Sequence, residues 1–202
     1  MNADAPQERA LKAIISVAAL CLVLVWTGEV ADAARKRTGE LYLIRGLFNV
    51  FSLGMDDLAQ QARARGYNTR VFNHTGWKGI ANDIIRRSKS RAVSHPIVIS
   101  GHSLGANSAT SMANYLTQKG VKVDLVVPFD PTSKRVVEGN IKMVVNYYIP
   151  NGAANTVVGA SGFRGKIINV NVSDMRGVGH MNVEKSRELH NEFFKRLKRI
   201  SR

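Results

Sequence analysis

Pro96-Ile97-Val98-Ile99-Ser100-Gly101-His102-Ser103-Leu104-Gly105-Ala106 is the stretch whose reading decides the fold. Its first half is apolar and β-branched, the composition of a buried strand. Its second half opens a segment of helical composition, Ala106 to Lys119, that stops at Gly120. Strand, sharp turn and helix form the context in which G-x-S-x-G presents a reactive serine. The turn holds Ser103 in a strained backbone conformation, so the positions on either side must carry almost no side chain. The helix start behind it supplies free N–H groups and a positive dipole end, which suit a developing oxyanion. The competing reading is a serine that merely caps an ordinary helix.

Strand and helix signals alternate on both sides of this stretch. Strands are predicted at Leu41–Ile44, Thr69–Asn73, Pro96–Ser100, Val123–Val127, Met143–Ile149 and Lys166–Val172. Helices are predicted over Met55–Arg65, Trp77–Arg91, Ala106–Lys119 and Val183–Ile200, the last with Leu189, Phe193, Leu197 and Ile200 three to four apart. Such alternation predicts an α/β protein: a mostly parallel sheet of about six strands with helices on both faces. Residues 151–165 read as a long loop.

A serine hydroxyl needs a base to take its proton, and the base needs a carboxylate to orient it. Of five histidines, His180 fits best. It lies in Arg176-Gly177-Val178-Gly179-His180, a loop between the last strand and the last helix, which opens onto the carboxyl edge of a parallel sheet. His74 lies on that edge but before the turn, His95 at the opposite edge. The His102 side chain is expected to point away from its neighbour's hydroxyl, and His190 to be a boundary residue of the final helix. Asp130 directly follows the fourth strand and is the favoured acid. Asp174, on the His180 loop, is the alternative, and Asp124 sits near the wrong end of its strand. The oxyanion donors are expected to be the Leu104 N–H and the Leu47 N–H, with Phe48 as the substitute and Asn49 and Ser52 as nearby polar support. Ser103, Asp130 and His180 follow the chain order of sheet-based serine hydrolases.

On these motifs the chain resembles the α/β-hydrolase superfamily from roughly Leu41 to the C-terminus. Gly101 to Ala106 resembles the elbow of lipases. Phe129-Asp130-Pro131 resembles the lipase subgroups whose acid follows the strand next to the elbow unit. The resemblance maps the family's triad onto Ser103, Asp130 and His180, in a minimal α/β-hydrolase fold. It implies hydrolysis of esters, lipid esters or thioesters through an acyl-enzyme, without cofactor or metal. Two departures stand out. Arg45-Gly46 replaces the usual His-Gly before the oxyanion loop. The chain is also short for two of the leading strands or an inserted lid, which implies an open site for a small or surface-presented acyl-ester or lipid-like substrate. A binding module that keeps the elbow but only holds a ligand or partner is the alternative function.

The N-terminus has a separate reading. Ala13 to Trp26 is apolar apart from Ser16, the length of a signal-peptide core, and Ala31-Asp32-Ala33 offers a cleavage pattern. Residues 1–33 are therefore expected to be an export signal peptide or, uncleaved, an N-terminal membrane anchor, and 34–202 a single domain. An exported, periplasmic or secreted protein with one cysteine, Cys21, must rely on packing alone. The formal net charge is +14, and the removed segment would take four acids (Asp4, Glu8, Glu29, Asp32) but only two bases (Arg9, Lys12). This basicity, concentrated at Lys195 to Arg202, predicts peripheral contact with an anionic membrane. No nucleic-acid-binding motif accompanies it, and no nucleic-acid partner is expected.

Overall fold

The computed structural model describes residues 39–47, 53–152 and 155–201. The segment over 1–33 lies outside the described residues, as do Phe48, Asn49 and Ser52. In chain order the elements are β1 (Glu40–Arg45), α1 (Leu53–Ala64), β2 (Asn68–Asn73), α2 (Trp77–Lys89), β3 (Ile97–His102), α3 (Leu104–Gln118), β4 (Leu125–Phe129), β5 (Arg135–Val137), β6 (Met143–Tyr148), β7 (Val157–Gly159), β8 (Lys166–Asn171) and α4 (Arg187–Ile200). Single 3₁₀ turns precede α2 and α4, at His74–Gly76 and Val183–Lys185.

Six strands form one sheet in the order β2-β1-β3-β4-β6-β8. Every pairing is parallel, from Leu41 opposite Thr69 and Val98 at one side to Tyr147 opposite Val170 at the other. Parallel pairing demands crossovers, and the crossover helices cover both faces. Period-two alternation along β1 shows how the faces divide. Leu41 and Leu43 pack with Met55, Leu58 and Ala62 of α1 and with Leu189, Phe193 and Leu197 of α4. Tyr42 and Ile44 pack on the other face with Ile84 of α2 and with Ala109, Met112 and Leu116 of α3. Burying each of the larger apolar side chains contributes roughly 1.5–3 kcal/mol.

The strand order reverses between β1 and β3, whose carboxyl ends lie side by side. That reversal is where an open α/β sheet leaves a crevice for a ligand. The loops after β1 and β3 are the predicted homes of the oxyanion donors and of Ser103.

The structure departs from the sequence-based expectations at four places. Residues 135–137 and 157–159 form a second, two-stranded parallel sheet, β5 with β7, so 151–165 is not loop throughout. The fourth strand runs Leu125–Phe129, two residues later than predicted. Before it, Asp124 accepts the Ile97 N–H on its side chain at 2.9 Å, and Val123 makes only an isolated bridge to Ile141. The last helix is split at Ser186, whose hydroxyl accepts the Leu189 N–H and restarts the helix. Finally, His190 is buried rather than a boundary residue. Its Nε2 donates to the Glu184 carbonyl at 2.7 Å, and burial pushes its imidazole below the usual range.

Candidate active site

Ser103 sits between β3 and α3 with φ 56° and ψ −121°, a region that residues with a Cβ rarely occupy. The flanking glycines make that turn possible. A Cβ on Gly101 would lie 2.3 Å from the Gly105 carbonyl oxygen, and one on Gly105 would lie 2.2 Å from that of Ile44. Glycine thus lets the start of α3 press against both β3 and the end of β1. The turn is pinned by the Ser103 N–H, which donates to the Phe129 carbonyl at 3.0 Å.

Asp130 leaves β4 with φ 47°, an excursion that Asp tolerates better than most residues. Its own N–H donates to the Tyr147 carbonyl at 2.7 Å. The carboxylate is 2% exposed and fully engaged. Oδ1 accepts the Ile149 N–H at 3.0 Å and the Asn155 amide at 2.5 Å. Oδ2 lies 2.6 Å from Nδ1 of His180. Asn155 is buried and also donates to the Ile149 carbonyl at 2.8 Å, which fixes its amide orientation. Sequence reasoning missed Asn155; it lies just before β7, within the stretch read as loop.

His180 completes the chain of bonds. Its Nε2 is 3.1 Å from Ser103 Oγ, and its side chain remains 41% exposed, open to a ligand. The hydrogen bond to Asp130 raises the imidazole above its ordinary range; burial opposes this, and the Asp130 and Glu184 charges add to the rise. The loop carrying His180 is tied across by Asn182, whose side chain accepts the Gly179 N–H at 2.7 Å and donates to the Gly177 carbonyl at 2.9 Å.

The alternatives fall elsewhere. Asp174 is exposed and interacts with Ser173. Asp124 bonds Nδ1 of His95 at 2.6 Å, at the amino edge of the sheet. Leu47 lies two residues past β1, on the carboxyl edge of the sheet, where β1 neighbours β3. Arg45 forms a two-pronged ion pair with Asp56 in the first turn of α1. It thereby ties together the two ends of the loop expected to provide the second oxyanion donor. Among the described residues no cluster of three His, Cys, Asp or Glu side chains is arranged to hold a metal ion.

Parallel strands in this order, a strained serine between β3 and α3, and a Ser-Asp-His chain sequence together decide the architecture. The fold is that of the α/β-hydrolases. Among solved structures, the chain is similar to a protein described as belonging to the α/β hydrolase superfamily from Xanthomonas campestris pv. campestris, at 15% identity and a TM-score of 0.44, covering 78% of this chain and 99% of that one. It is also similar to YbtT, the type II thioesterase from the yersiniabactin NRPS/PKS biosynthetic pathway, at 8% identity and a TM-score of 0.49, covering 83% and 96%. A serine-to-alanine mutant of YbtT gives 8% and 0.47. No family model matches the sequence, and no curated protein matches it significantly.

Proposed function

We propose that the protein is a serine hydrolase that cleaves carboxylic esters or thioesters through an acyl-enzyme. The observation that carries this reading is the continuous relay from Ser103 Oγ to His180 Nε2 (3.1 Å) and from His180 Nδ1 to Asp130 Oδ2 (2.6 Å). In the proposed reaction His180 takes the hydroxyl proton as Ser103 attacks the acyl carbonyl. The oxyanion forms against the Leu104 and Leu47 N–H groups. His180 then returns the proton to the departing alcohol or thiol, and water repeats the sequence on the acyl-enzyme. A module that only bound ligands would gain nothing from an imidazole held between a buried carboxylate and a strained serine. The experiment is turnover of a panel of p-nitrophenyl esters and acyl thioesters by the wild type and by His180→Ala. Loss of about 10³-fold or more is expected for the variant. Equal turnover by a folded variant would remove His180 from the reaction.

We also propose that the basic end of α4 contacts anionic lipid. Arg65, Lys195 and Lys198 line one surface cleft with Tyr67 and Phe194. Tyr67 precedes β2 and meets Ser201 at 3.4 Å, which locates this cleft at the amino edge of the sheet. The candidate site occupies the opposite edge, so such contact would leave it facing away from the bilayer. Each cation near the surface is worth roughly 1 kcal/mol. Co-sedimentation with anionic vesicles that persists in ~0.5 M salt would exclude an electrostatic mode.

A further inference from the structure

His102, the residue before the serine, is nearly fully buried in the described structure (2% exposed). Its Nε2 lies 2.6 Å from the backbone carbonyl of His180. A carbonyl can only accept, so Nε2 carries the proton and donates. Burial pushes this imidazole down to about 4, outweighing the upward pull of the His180 carbonyl, so the ring is neutral at pH 7. It works there as an N–H donor rather than as an acid or base. The two imidazole rings lie 5.1 Å apart. Behind them Glu184, completely buried, brings Oε2 to 3.7 Å from the same Nε2.

These contacts close a ring. Ser103 Oγ meets the His180 side chain, the His180 carbonyl meets His102, and the peptide bond joins His102 to Ser103. The elbow therefore grips the base at two points, once by its ring and once by its backbone. We infer that His102 is a positioning residue for His180: the hydrogen bond from its Nε2 to the His180 carbonyl holds the base at reacting distance from Ser103. The inference rests on the hydrolase reading above. It assigns His102 no contact with substrate.

The test compares fluorophosphonate labelling of the wild type with His102→Leu, His102→Gln and His102→Asn. Dependence of the rate on probe concentration separates the maximal rate from probe affinity, and thermal unfolding reports folding. Gln carries an N–H donor to about the position of the His Nε2, whereas Asn is too short to reach it. A positioning role predicts a maximal rate 10- to 100-fold lower in His102→Leu, as misplacement of a reacting group produces. Probe affinity should stay within about twofold. Recovery is expected in His102→Gln and not in His102→Asn. His102→Leu reacting at the wild-type rate would overturn the inference, as would equal rates for Gln and Asn. If His102→Leu does not fold, the Gln and Asn comparison decides by the same criterion. A labelled wild type with unaffected variants refutes only this role. A folded wild type that never labels refutes the hydrolase reading and this role with it.

Discussion

Replacing Asp130 by Asn should disable the proposed base, His180, through its tautomer, because the surrounding bonds dictate which way the new amide faces. Oδ1 receives two donors, the Ile149 N–H and the Asn155 amide. Asn155 cannot turn over to relieve this, since its amide also donates to the Ile149 carbonyl. The oxygen of the introduced amide must therefore stay on that side, and its NH₂ must face Nδ1 of His180. Nδ1 becomes an acceptor, the proton moves to Nε2, and Nε2 can no longer take one from Ser103. A wrong tautomer in a serine triad costs about 10⁴-fold, or roughly 5 kcal/mol of activation free energy. The assay is the second-order rate of fluorophosphonate labelling as a function of pH. In the wild type His180 is raised above its ordinary range, chiefly by its bond to Asp130. The reactive form is neutral, so the rate should climb with pH through a midpoint above the usual imidazole value. In Asp130→Asn the plateau should drop by about 10⁴ and any remaining midpoint should move down. Asp174→Asn should change neither. A loss below about tenfold with an unmoved midpoint would mean that Asp130 only shapes the turn after β4.

Two further perturbations test the packing around the site, and a third serves as their control. Burial pushes Glu184 from 4.5 up to about 7, against weaker downward pulls from its own and the Gly54 backbone N–H groups and from Lys185. A raised carboxyl stabilises the fold below its unfolded value, and this contribution is lost as pH rises through the folded one, here between about 4.5 and 7. Glu184→Gln should therefore gain roughly 3 kcal/mol relative to wild type between pH 4.5 and pH 8, read as a divergence of about 6–12 °C in Tm; parallel Tm curves would refute it. Gly105→Ala places a Cβ 2.2 Å from the Ile44 oxygen, where ordinary contact begins near 3.4 Å, so the start of α3 must move by about 1 Å. It should lose roughly 1–3 kcal/mol of stability and about 10²-fold in labelling. Gly79→Ala on α2, with nothing within 4 Å of its Cβ, should instead be neutral or slightly stabilising in thermal unfolding.

The parts of the fold legible in the sequence are those where one local signal dominates. Ile97 to Ser100 is buried without interruption, as a central parallel strand requires, and Gly101 and Gly105 mark a backbone approach that any side chain would block. The short strands β5 and β7 carry no such signal. Arg135-Val136-Val137 and Val157-Val158-Gly159 are three residues each, too brief to show a period. Asn155 was invisible for another reason: its role depends on Asp130, which is 25 residues away in the chain and adjacent only once β4 and β6 have paired. The burial of His190 is not legible in the sequence, because a helix's apolar stripe marks which residues face inward, not whether a polar residue among them finds a buried partner. Here the Glu184 carbonyl supplies one. The break at Ser186 leaves the apolar spacing of α4 intact, so periodicity alone runs through it.

The most direct measurement is mass-spectrometric mapping of the fluorophosphonate adduct on the folded full-length protein at neutral pH. One adduct is expected, on Ser103, absent in Ser103→Ala and slowed by about 10³-fold or more in His180→Ala. A folded wild type that forms no adduct, or an adduct on any other residue, would contradict the assignment of Ser103 as the nucleophile.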